Sequence, residues 1–167
     1  EMIIDDVITC VARKQTPVIL TRFKEHAKFL HDALKEKADH VFLLYGDNSD
    51  KENAEIRVKL KQIPENESLI LVATGQKIGE GFDFPRLDVL MLAAPVSFEG
   101  RLEQYVGRLN RDYVGKEAVY VYDYIDSHVR YFDKMYAKRL RTLISRPAFL
   151  ILSAIKSQFT ACSGNNP

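Results

Sequence analysis

Two arginines, Arg108 and Arg111, stand three residues apart in the stretch "QYVGRLNR", with Gly107 beside the first and Gln104 four residues before it. At about 100° per residue, Gln104, Arg108 and Arg111 fall on one side of a helix, and Leu102, Tyr105, Val106 and Leu109 on the other. A guanidinium stays charged at all working pH values and donates in a planar fork that matches phosphate oxygens. A solvated polar face would account for the arginines alone, but not for the glycine. In a helix interior, glycine costs about 1 kcal/mol relative to alanine. The spacing therefore predicts a close approach at Gly107, by a ligand or another backbone, and a phosphate-directed pair of cations beside it.

A second stretch, "VATGQKIGEGFDF", runs from an apolar strand into a loop holding Gly75, Gly79 and Gly81, followed by Asp83. Such a loop lets backbone amides approach phosphates or sugars. It is not a P-loop, since no G-K-[ST] closes it, and its glycine order differs from the dinucleotide-binding fingerprint. Two charged residues, Lys77 and Glu80, occupy the loop. Glu80 is read either as a brace for Arg108 or Arg111 or as a plain surface carboxylate.

The elements that must hold these residues alternate between strand and helix. Short apolar runs at Pro17 to Thr21, Val41 to Tyr45, Leu69 to Thr74, Asp88 to Ala93 and Ala118 to Tyr124 read as buried strands. Phe23, Ala27, Leu30 and Leu34 recur at helical spacing. Ser49 and Glu52 form a candidate capping box for a helix whose inner face is Ile56, Leu60 and Ile63, stopped by Pro64. The segment before Lys14 reads as a lead-in helix. A last basic helix from Ser127 carries Arg130, Lys134, Lys138, Arg139 and Arg141 and is read as solvated. The tyrosines of "YVYDY" are read as packing residues. Continuous apolar strands between amphipathic helices predict an α/β domain, a mostly parallel sheet flanked by helices on both faces. Ligands gather at the carboxyl ends of such strands.

The chain has 167 residues and a formal net charge of +1, so it suits one ordinary domain, and a nucleic-acid face would depend on where the basic residues sit. Cys10 and Cys162 lie near opposite ends, which fits a reducing, cytoplasmic setting better than a disulfide scaffold. The histidines are scattered without metal-ligand spacing. The acids near the N-terminus do not suit a signal peptide, and "AFLILSAI" is too short to span a bilayer. Glu1 and the polar "SGNNP" are read as the ends of a piece of a longer protein. The expected division is 1–15 lead-in helix or linker, 16–145 main lobe and 146–167 C-terminal extension.

Taken together, the two stretches resemble the C-terminal RecA-like lobe of a superfamily 2 helicase or translocase. "QYVGRLNR" fits that family's motif VI, Q-x-x-G-R-x-x-R. "VATGQKIGEGFD" is similar to its motif V, and "PVILTRFKEHAKFLHDAL" to its motif IV. The wording "GEGFDFPRLDVLMLAAPVSFEGRLEQYVGRLNR" is closest to the branch of restriction-type and DNA-repair helicases. The resemblance implies a three-layer RecA-like fold over roughly Thr16 to Tyr124. Arg108 and Arg111 become arginine fingers for the γ-phosphate of ATP, and Gln104 a contact to the phosphate end or the attacking water. Gly81, Asp83 and Gly107 become nucleotide-side residues. Thr21, Arg22, Gly46, Thr74 and Gly75 line the path of a nucleic-acid strand, held by its backbone with weak sequence preference. Asp83 lies one residue further from Thr74 than in many members of the family.

Neither G-x-x-x-x-G-K-[ST] nor D-E-x-[DH] occurs in this sequence. In the family those motifs hold ATP and Mg²⁺ on an N-terminal RecA-like lobe of the same chain. The implied partners are thus that first lobe and a nucleic acid, DNA favoured over RNA, and this chain alone is expected neither to hydrolyse ATP nor to unwind a duplex. The competing expectation is a non-catalytic nucleic-acid-binding or scaffold module of the same fold. A dinucleotide-binding oxidoreductase is the remote third.

Overall fold

The protein's structure, a computed structural model, describes residues 2–75, 78, 83–94, 105, 107–109, 111, 113–116, 118–124 and 149–152. The elements follow in the order α1 (Met2–Ala12), β1 (Pro17–Thr21), α2 (Lys24–Leu34), β2 (His40–Leu44), α3 (Asp50–Gln62), β3 (Leu69–Thr74), β4 (Val89–Leu92), β5 (Val119–Asp123) and β6 (Phe149–Leu152). The six strands form one sheet in the order β2-β3-β1-β4-β5-β6, and every neighbouring pair is parallel. The expected strands are thus found, the second shifted by one residue and the fourth and fifth shorter by one at each end. A sixth, β6, lies in the stretch expected to be an extension beyond the lobe. The basic helix expected from Ser127 and the position of Cys162 lie outside the described residues.

Alternation along the strands splits the core in two. Val18 and Leu20 of β1 join Leu60 of α3, with Ile56 and Ile63 packed alongside. The intervening Ile19 joins Val7 and Cys10 of α1 and Ala27, Leu30 and Leu34 of α2 on the other face. Every residue of β1 and of β3 is buried, as a central strand covered on both faces must be. This is the expected three-layer α/β arrangement. Helix α1, from the lead-in segment, is part of the second layer: Tyr124 Oη donates to Asp6 Oδ2 at 3.0 Å, and Tyr122 and Tyr124 pack with that face. Burial pushes the Tyr122 phenol up to about 12. Among the described residues no helix is long and apolar enough to cross a membrane.

The start of α3 is fixed by its own sequence. The Ser49 side chain accepts from the Glu52 amide at 3.2 Å, and the Ser49 amide donates to Glu52 Oε2 at 2.7 Å, so two donors that the helix leaves without partners are satisfied reciprocally. Ser49→Ala is expected to lower stability by about 1 kcal/mol, read as a shift of the denaturant midpoint with an unchanged slope.

Candidate functional site

Strands β1 and β3 end side by side, with Thr21 in register with Thr74. Both threonines are buried. The Thr21 hydroxyl turns towards the start of α2, where it accepts from the Phe23 amide at 3.4 Å and lies 3.1 Å from His26 Nδ1. Burial lowers the His26 pKa and so favours the neutral ring. Of the residues expected along the strand path after β1, Arg22 is the exposed one.

At the end of β2, Gly46 is covered by a lysine stem. A Cβ placed there would meet Lys24 Cε at 3.3 Å. Beyond it the Lys24 ammonium pairs with Asp47. Lys28 stands 3.9 Å from the same carboxylate and 5.6 Å from the centre of the Tyr45 ring. The hydrogen bond from Lys24 holds the Asp47 carboxyl below its ordinary range. The carboxyl ends of β1 and β2 therefore collect two cations, Lys24 and Lys28, around one carboxylate.

At the end of β3 the two motif stretches meet. Tyr105 and residues 107–109 are helical. Tyr105 and Leu109 are buried in the α3-side core, while Gly107 and Arg111 are exposed, as the helical spacing predicts. Tyr105 Oη donates to the Gly75 carbonyl, and a Cβ on Gly75 would come within 3.1 Å of that hydroxyl. The close approach that requires a glycine is therefore at Gly75. At Gly107 a Cβ meets nothing within 4 Å, so among the described residues no backbone makes the approach expected there.

Both arginines reach the segment after β3. Arg108 Nη1 donates to the Ile78 carbonyl at 2.9 Å, and Arg111 Nη1 to Asp83 Oδ2 at 2.6 Å. The Arg111 and Asp83 side chains are 56% and 46% exposed, which puts their pair among surface salt bridges worth about 0–1 kcal/mol. The brace for Arg111 is Asp83. Glu80, the carboxylate considered for that role, lies outside the described residues, as do Gln104, Gly81, Gly79 and Lys77.

One participant was missed in the sequence. Lys116 Nζ donates to the carbonyls of Pro85 at 2.9 Å, Leu87 at 2.7 Å, Leu109 and Arg111 at 3.4 Å. The signal available was a lysine a few residues past a helical stretch, a cation suited to its last carbonyls.

Residues 2–112 match the family described as helicase conserved C-terminal domain. The chain belongs to that family. This helicase C-terminal domain is 32% identical over 99 residues to the transcript termination protein A18 of Yaba-like disease virus, an alignment covering 59% of this chain and 20% of that protein. It is 27% identical over 114 residues to the protein of the same name in fowlpox virus, covering 68% and 24%. The chain thus spans about a fifth to a quarter of these two relatives. In fold it is similar to the crystal structure of T4 UvsW, with a TM-score of 0.68, 21% identity and coverage of 91% of this chain and 33% of that one. The helicase domain of Pyrococcus furiosus Hef gives 0.57, 22%, 80% and 28%. The lobe is RecA-like.

The helicase lobe thus brings Gly75, Asp83, Gly107, Arg108 and Arg111 together at the end of β3, and Thr21, Arg22 and Gly46 at the ends of β1 and β2, with Thr74 between the groups. Tyr105 joins the arginine turn to the sheet. Tyr105→Phe, which keeps the ring and removes the bond to Gly75, is expected to lower stability by about 1 kcal/mol, measured by urea unfolding.

Proposed function

We propose that this helicase C-terminal domain is the second motor lobe of an ATP-dependent nucleic-acid helicase or translocase. It supplies arginine fingers to ATP held on a first lobe and grips the backbone of a nucleic-acid strand. The observation that carries this reading is that Arg108 and Arg111 share one turn at the carboxyl edge of the sheet, each resting on an acceptor that a phosphate can replace. Arg111 is half-exposed and held by a carboxylate in an ion pair of small net worth. A γ-phosphate carries more charge than that carboxylate and likewise accepts the guanidinium fork.

In this reading ATP and Mg²⁺ sit mainly on the first lobe, and closure brings Arg108 and Arg111 to the γ-phosphate. The metal supplies charge neutralisation at the phosphates when bound; this chain supplies the cations facing it. Gln104 contacts the phosphate end or the attacking water. Asp83, released by Arg111, is free to accept from the ribose hydroxyls, with Gly81 giving access. Gly107, which nothing among the described residues crowds, leaves room for the nucleotide or the first lobe.

The strand path follows the carboxyl ends of β1, β2 and β3, past Thr21, Arg22, Gly46, Thr74 and Gly75. Because the Thr21 hydroxyl is engaged by α2, Arg22 and Lys24 provide the charge there. DNA is favoured over RNA on the motif wording alone. The names of the viral relatives, transcript termination proteins, accord with a motor acting on nucleic acid.

In the full-length protein, Arg108→Ala is expected to cut ATP turnover by about 10³–10⁵-fold while the circular dichroism spectrum is retained. A variant with the turnover of the wild type removes the finger assignment and favours the scaffold reading. Arg22→Ala is expected to weaken single-strand binding about equally for all sequences and to lower the salt slope of log K by about 1, measured by fluorescence anisotropy across a salt series.

A further inference from the structure

The arginine turn has a second anchor that the motor chemistry does not itself require. The ammonium of Lys116 sits where four backbone carbonyls converge. Two of them, Leu109 and Arg111, belong to the end of the arginine stretch, where a helix leaves carbonyls without partners. The other two, Pro85 and Leu87, belong to the turn that leads into β4, only two residues beyond Asp83. That turn is itself tied down. The Leu87 amide donates to Phe84 O at 3.3 Å, and Arg86 Nη1 donates to Pro64 O at 3.1 Å.

The lysine is brought there by its own turn. Gly115 has φ +80°, in the left-handed region that favours glycine, and the Lys116 amide donates to Tyr113 O at 3.1 Å. A compact ammonium with three rotatable donors can serve carbonyls arriving from several directions, whereas a planar guanidinium fork cannot. One point charge thus joins the end of the stretch carrying Arg108 and Arg111 to the segment carrying Asp83.

We infer that Lys116 is a positioning residue for the arginine fingers. It fixes the arginine turn against the β4-leading turn, so that both guanidiniums stand at a set distance from the carboxyl edge of the sheet. It touches neither nucleotide nor strand. The role rests on the motor reading above, because a position matters to turnover only if the arginines act on a phosphate.

The experiment is a double-mutant cycle in the full-length protein with ATP turnover as the readout. Lys116→Met keeps the stem and removes the donors. It is expected to lower kcat by about 10–100-fold, since a displacement of about 1 Å at reacting groups costs on the order of 10²-fold, with KM for ATP changed less than about twofold. In the Arg111→Ala background, Lys116→Met is expected to remove less further activity than it does alone, because one of the guanidiniums whose position it sets is already gone. Equal losses in both backgrounds, or a Lys116→Met enzyme with wild-type kcat, overturn the role. Wild-type turnover in Arg111→Ala alone instead rejects the motor reading, and this role with it. Should Lys116→Met not fold, amide exchange in Lys116→Arg decides. Faster exchange at residues 107–111 with β1 and β3 still protected is the expected pattern. Uniform loss of protection, or none at 107–111, overturns the inference.

Discussion

A guanidinium cannot shed its charge, so each arginine of a phosphate-directed pair must rest on some acceptor in every state of the protein. The rest of this site depends on how that requirement is met. Arg108 rests on the neutral carbonyl of Ile78 and is partly buried, while Arg111 rests on the half-exposed carboxylate of Asp83. The two holders differ in what replacing them entails. Taking Arg111 from Asp83 exchanges one anion for another in contact with water. Taking Arg108 from Ile78 leaves a backbone carbonyl to find another donor, which is unfavourable by about 1–3 kcal/mol where water cannot reach it. In the proposed motor lobe, movement of Arg108 is therefore coupled to the segment after β3.

That coupling has force only if the arginine turn and the segment after β3 are held by something that does not move. The parallel sheet is that reference. Strands β1 and β3 are buried throughout, and the turn is fastened to them through Tyr105 and Gly75. Gly75 is short of a side chain for a packing reason: a methyl group there would crowd the Tyr105 hydroxyl. The first glycine of the loop after β3 thus makes room for the Tyr105 hydroxyl.

The fold was largely legible because its elements are written with strong periodicity. Continuous apolar runs gave the strands, Ser49 and Glu52 gave the start of α3, and motif order gave the lobe. Strand ends moved by a residue because pairing partners, not local sequence, decide where a ladder stops. The site was legible where it rests on helical spacing, as with Arg108 and Arg111 opposite Tyr105 and Leu109. It was not legible where it rests on convergence through space. Asp83 as the holder of Arg111, and Lys116 as the meeting point of carbonyls from 85 to 111, join segments whose proximity only the sheet establishes. The Gly107 reading stayed open between ligand and backbone for a related reason. The penalty of a helical glycine says that a side chain is unwelcome, but not whether the neighbour that makes it so belongs to this chain.

The same logic recurs at the far end of the strand path. Lys24 lies over Gly46 and pairs with Asp47, just as Arg111 pairs with Asp83. At both places where the proposed function puts a polyanion, a protein carboxylate already occupies the cation. In the proposed function, a lobe with a formal net charge of only +1 holds phosphates without carrying a large uncompensated field, because its grip arises from exchange of partners. A monoanion gains little by displacing a carboxylate that is already tethered in place. A phosphodiester strand or a triphosphate presents several charges at once and can displace more than one, so in the proposed function a preference for polyanions follows from the carboxylates as much as from the cations they hold.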